Sequence, residues 1–168
     1  MAEFVRGKVF VCIDAANLEQ SLKSLGWRVD YKRLYRYFQN NTRLVGVRYY
    51  CPRFGDPAQD KFFVVLKKMG FKLVTKPLKN IKVSGKLKKC KANFDVEIAL
   101  DMFLLSHKYD ALVLFSGDSD FNYLVRLLRG KGKKVIVVST KHHISKELIA
   151  SCNKYFDLKK LQSYIERP

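Results

Sequence analysis

Two periodicities alternate along the chain. Near-continuous apolar runs, the pattern of strands buried on both faces, occur at residues 8–13, 43–52, 71–78, 110–116 and 133–140. Between them, residues 17–27, 29–41, 56–70, 93–108 and 119–132 space their apolar positions three and four apart, which predicts helices. The punctuation agrees: Pro52 is predicted to stop the second strand, Pro57 lies near the start of the next helix and Gly70 at its end. Toward the C-terminus, 144–151 and 158–165 read as short helices with a short edge strand, 154–158, between them. Strand–helix alternation of this kind predicts an α/β fold, a three-layer sandwich with a mainly parallel central sheet flanked by helices.

Length and composition narrow this picture. A chain of 168 residues with 48% hydrophobic content is expected to form a single domain, 1–168, with a buried core. Its apolar runs, such as 111–115, are too short to span a bilayer. The N-terminal residues lack the segments of a signal peptide. No CxxC pair links Cys12, Cys51, Cys90 and Cys152, so buried thiols are expected rather than a disulfide frame or a zinc site. A cytoplasmic protein with no membrane partner is the expectation.

Charge changes the picture most. Thirty-three Lys and Arg against fifteen Asp and Glu give a formal net charge of +18, which calls for a polyanionic partner, nucleic acid before a membrane surface. The stretch 76–91 contains Lys76, Lys79, Lys82, Lys86, Lys88, Lys89 and Lys91 and no acid. A solvated loop or hairpin and a docking surface for phosphates both fit it. Arg126 and Arg129, on the predicted helix 119–132, are further candidates for tracking a nucleic-acid backbone.

The few acids gather where a parallel sheet places its ligands, at the carboxyl ends of the strands. Asp14 ends the first strand, Asp118 and Asp120 follow the run 110–116, and Asp95, Glu97 and Asp101 lie on the helix before it. Unpaired carboxylates at ~4 Å repel by about 4 kcal/mol at an effective dielectric near 20. Hard divalent cations, Mg²⁺ or Mn²⁺, remove that penalty. Such ions activate water and stabilise the leaving oxygen in phosphodiester hydrolysis. Each acid also has a plainer reading: Asp118 or Asp120 as a helix cap, Asp95 as a partner of the helix dipole, Asp101 as a hydrogen-bonded support, Glu97 as a surface partner of lysine. Asp14, at the end of a buried strand, is the hardest to explain without a partner.

The motifs CIDAANL, FDVEIALDM and LFSGDSDFNYLV, in this order, resemble the NYN domain of the LabA-like type, a branch of the PIN-like nuclease superfamily. The similarity spans about residues 7–140, leaving 141–168 as a C-terminal helical cap. The resemblance implies a metal-dependent ribonuclease, with endonucleolytic cleavage expected, Asp14, Asp95 and Asp118 as catalytic metal ligands, and Asp120 and Asp101 as further acids of the site. It implies that Asn17 orients Asp14 or the phosphate, and that Ser116 and Ser119 offer hydroxyls there. It also makes a homodimer an expectation.

Two other readings compete. A non-cleaving RNA-binding module would fit the charge, yet gains nothing from acids facing phosphate. A phosphohydrolase of the haloacid dehalogenase type wants DxD after its first strand, where this chain has DAAN. Tyr49, Tyr50, Phe54 and Tyr123 are candidates for stacking on bases, with core packing as the alternative. His142 and His143 read as surface residues or phosphate contacts.

Overall fold

A computed structural model describes residue 5 and residues 7–78, 80–83, 86–89 and 92–168, with only the backbone course described at 80–83 and 86–89. The elements run β1 (Lys8–Asp14), α1 (Ala15–Leu25), α2 (Tyr31–Asn41), β2 (Arg43–Arg53), α3 (Pro57–Lys68), β3 (Phe71–Pro77), β4 (Asn80–Val83) and β5 (Lys86–Lys89). They continue with α4 (Asp95–Leu104), β6 (Ala111–Phe115), α5 (Asn122–Gly130), β7 (Lys134–Ser139), α6 (Lys146–Ser151), β8 (Lys154–Asp157) and α7 (Gln162–Ile165). Among the described residues, six strands form one sheet in the order β3-β2-β1-β6-β7-β8. Every pairing in it is parallel.

Alternation along the strands divides the core in two. Val9, Val11 and Ile13 of β1 join Val113 and Phe115 of β6 on the face covered by Leu18, Leu34, Phe38 and Leu66 of α1, α2 and α3. Phe10 and Cys12 join Leu112 and Leu114 on the opposite face, covered by Ile98, Met102, Val125, Leu128 and Leu148 of α4, α5 and α6. Burying a side chain of this size contributes roughly 1.5–3 kcal/mol, so both faces of the central strands are anchored. The predicted three-layer arrangement is the observed one.

Chain order on the two sides of the sheet diverges from β1. From β1 the chain proceeds outward to β2 and β3, then returns to place β6 on the other side of β1. Between β1 and β6 the strand order therefore reverses, and the crevice beyond their carboxyl ends is where such sheets bind ligands. The register aligns these ends, since Ile13 pairs with both Tyr49 and Phe115.

Three local readings differ from the structure. Pro52 does not stop β2, because near the strand's end it still pairs with Lys76 of β3. The helix expected over 93–108 is regular only over Asp95–Leu104, followed by a 3-10 turn at Ser106–Lys108. The stretch after residue 140 is more than a helical cap: β8 adds the sixth strand, and Leu158, Leu161 and Ile165 are fully buried in the core. β8 falls within the edge strand expected over 154–158. The lysine-rich stretch folds back as the antiparallel hairpin β4–β5. Among the described residues no helix is long and apolar enough to cross a membrane.

Candidate functional site

Asp14 serves two elements at once. It is the last residue of β1 and, in an extended conformation, the N-cap of α1, accepting from Ala16 N at 3.1 Å and Asn17 N at 3.3 Å. No loop separates strand from helix, so the carboxylate is held at the sheet edge, only 7% exposed. Asn17 Nδ2 donates to Asp14 Oδ2 at 2.7 Å, while Asn17 Oδ1 accepts from Gly117 N at 3.2 Å. Ser116, just past the end of β6, donates from Oγ to Asp14 Oδ2 at 3.5 Å and accepts from Asp118 N at 3.3 Å. Asn17 and Ser116 thus join the ends of β1 and β6 through the same carboxylate.

Gly117 is required by space. A Cβ at this position would lie 1.8 Å from the carbonyl oxygen of His143, and Ser145 N donates to Gly117 O at 3.0 Å. The loop after β7 thereby packs directly on the turn that carries the next acid. Asp118 caps the 3-10 turn Ser119–Phe121 by accepting from Asp120 N at 3.0 Å, so the capping role and the site role coexist. Across the crevice, Asn93 Oδ1 accepts from Asp95 N at 2.7 Å, serving the first amide of α4 from outside the helix.

These turns bring Asp95, Asp118 and Asp120 together, with one carboxylate oxygen from each lying within 4.8 Å of the others. Asp95 and Asp118 are half-buried and Asp120 is exposed. Among the described residues none of the three forms an ion pair with Lys or Arg. Burial pushes the Asp95 carboxyl above its ordinary pKa; the Asn93 hydrogen bond opposes this, and the charges of Asp118, Asp120 and Glu97 add to it. Burial also raises Asp14, against the hydrogen bonds from Asn17 and Ala16 and with the Asp95 charge adding. Asp14, Asp95 and Asp118 line one cavity of about 620 Å³. Three hard oxygen donors, close-set and without a cationic partner among the described residues, fit a divalent ion.

The other sequence candidates lie elsewhere or are otherwise engaged. Asp101 is paired with Arg48 and accepts from Tyr50 Oη at 2.9 Å, which makes it a support between α4 and β2 rather than a member of the triad. Glu97 pairs with Lys76, whose Nζ also donates to Asn93 O at 3.1 Å and lies 5.3 Å from the centre of the Phe94 ring. Lys76 therefore ties β3 to the start of α4. Arg129 Nη1 donates to Ser151 O at 2.6 Å, whereas Arg126 and Ser119 are exposed. Lys79 and Lys91 lie outside the described residues; Lys82, Lys86, Lys88 and Lys89 fall on the hairpin backbone, their side chains undescribed.

Tyr49 and Tyr50 are core residues, 2% and 1% exposed, and cannot stack on a base; Phe54 and Tyr123 are open at 60% and 77%. Cys12, Cys51 and Cys152 are free and buried, and burial raises the Cys12 thiol to about 12, which keeps it protonated and inert. Sequence reasoning did not single out Asn93, or Ser139, the last residue of β7, and Thr140 after it, both buried with unpartnered hydroxyls. The legible signal for the latter pair was a polar doublet closing an apolar run, the same signal that marked Asp14.

Comparison with known proteins places this geometry in context. The model of the NYN domain family matches residues 8–159. The low amplitude and bright protein LabA of Synechococcus elongatus is 34% identical over 168 residues, covering 98% of this chain and 90% of that protein. A crystal structure of a protein of unknown function from Vibrio parahaemolyticus superposes with a TM-score of 0.79, covering 95% of this chain and 96% of that one. At 24% identity, that likeness speaks for the fold alone.

Proposed function

We propose that this chain, which belongs to the NYN domain family, is a metal-dependent ribonuclease that hydrolyses RNA phosphodiesters endonucleolytically. The observation that carries this reading is the convergence of Asp95, Asp118 and Asp120 at the topological switch point of a chain with net charge +18. A protein that only bound RNA would be weakened by acids at its phosphate-facing edge, whereas a nuclease needs them.

Asp95, Asp118 and Asp120 would hold Mg²⁺ or Mn²⁺. A divalent ion bound there supplies an activated water and a counter-charge for the phosphate oxygens. Asp14, which lines the same cavity as Asp95 and Asp118, would add negative charge there, its oxygens oriented by Asn17 and Ser116. Burial and the neighbouring carboxylates hold the Asp95 carboxyl above its ordinary pKa, and a cation held there would oppose that shift. The lysines of the hairpin, whose ends lie beside cavity residues Leu78 and Ala92, together with Arg126, would draw in the phosphate backbone.

The test is cleavage of an end-labelled RNA containing a stem and a loop, with Mn²⁺, Mg²⁺ or EDTA, comparing wild type with Asp118→Asn. Metal-dependent internal cuts that vanish in Asp118→Asn support the reading. Salt-sensitive binding without cutting under either metal overturns it in favour of a binding module.

A further inference from the structure

The cavity containing the acids has an apolar lining that phosphodiester hydrolysis does not require. Besides Asp14, Asp95 and Asp118 it is lined by Pro52, Phe54, Leu78 and Phe94, and by Gln20 of α1. A groove made only to follow a phosphate backbone would be polar and basic throughout. This one combines carboxylates with aromatic and aliphatic residues, in a volume of about 620 Å³, within the range of small-ligand sites.

Phe54 is presented rather than merely left exposed. It lies on the connection between β2 and α3, with 60% of its surface open. Gln59 fastens that connection on both sides: its Oε1 accepts from Phe54 N at 2.8 Å and its Nε2 donates to Pro52 O at 2.8 Å. Gly55 follows at φ +74°, a left-handed turn that lets the chain reverse immediately after the ring. Phe54 also lines a second cavity of about 390 Å³. Gln20 is exposed and its amide offers both a donor and an acceptor to a base edge.

We infer that this apolar lining is a nucleobase subsite: an unpaired base beside the scissile phosphate leaves its stack, lies against Phe54 and Pro52, and meets the Gln20 amide. The inference rests on the ribonuclease reading and deepens it by assigning the residues that take a base next to the cleavage point. A base held in a duplex is stacked and paired, and its faces are not free to lie against an aromatic ring.

The experiment separates this subsite from catalysis. A uridine-rich single strand carrying several 2-aminopurines, and the same strand annealed to its complement, are titrated in EDTA with wild type, Phe54→Ala and Phe54→Trp. Wild type is expected to change 2-aminopurine fluorescence on the single strand and not on the duplex. Phe54→Ala should lose that change and bind the single strand about tenfold or more weakly, while Phe54→Trp restores both. Affinity for the duplex should be the same in all three proteins. Single-strand binding and fluorescence unaltered in Phe54→Ala, or duplex cut in Mn²⁺ as readily as single strand, overturns the subsite. Because the titration contains no metal, absent cleavage would sink the ribonuclease reading while the optical result still decides the subsite.

Discussion

Asn17 and Asp14 are joined at 2.7 Å, Nδ2 to Oδ2, on a residue whose other amide atom accepts from Gly117 N. One side chain therefore spans the ends of β1 and β6 and sets the orientation of the buried carboxylate. Asn17→Ala is expected to lower kcat/KM for RNA about 10- to 100-fold, the scale of effect seen when a partner that fixes the carboxylates around a metal site is removed. The fold should survive, because Asp14 keeps its bonds from Ala16 N and Asn17 N. Cleavage kinetics and a circular dichroism melt check this, and undiminished cleavage would remove Asn17 from the site.

Divalent ions should stabilise the protein in a pH-dependent way. The folded-state pKa values of Asp14 and Asp95 are raised, so their contribution to stability is present at low pH and is lost as pH rises through those values. Above that point the ionised cluster opposes folding, and a bound cation relieves it. At pH 8, Mn²⁺ near a hundredfold over its Kd is expected to raise Tm by roughly 5–10 °C. The increment should shrink toward zero as the pH falls through the acid range and the carboxyls take up protons. Paired melts with Mn²⁺ and EDTA across pH measure it, and an increment that ignores pH would contradict ligation by these acids.

Asp101 is expected to affect stability and leave metal response intact. Its pairing with Arg48 is mostly shielded, the two side chains being 23% and 13% exposed. Removing one partner strands the other, and Arg48→Met should destabilise by about 2–4 kcal/mol. The double variant Arg48→Met/Asp101→Leu should recover much of that loss, since a buried ion pair often contributes little over an apolar one. The Mn²⁺-induced rise in Tm should persist in Asp101→Asn. Its disappearance would return Asp101 to the metal-binding set.

The limits of local reading are visible in particular residues. Asp14, Asp95 and Asp118 were legible because each is a charge set where an apolar pattern stops or a helix begins. Asp101 carried an equally strong local signal, three residues from Ile98 on the same helix, yet it turns to Arg48. A helix face has no label for its partner strand, and Arg48 lies 53 positions earlier in the chain. Lys76 was legible as a charge but not as the partner of Glu97, because β3 and α4 meet only after the chain has made its hairpin.

By itself the sequence determined the alternation of strands and helices, the burial of both sheet faces, the excess of positive charge and the acids at strand and helix ends. These follow from periodicity, composition and local chain chemistry, which act over a few residues at a time. Only the tertiary structure decided which acids converge. The reversal of strand order at β1 and β6, and the close packing of the His143 carbonyl on Gly117, bring Asp95, Asp118 and Asp120 within ligand distance of one another. The same long-range packing set Phe54 in one cavity with Asp95 and Asp118, and such distances depend on how the layers seat, which no local pattern encodes.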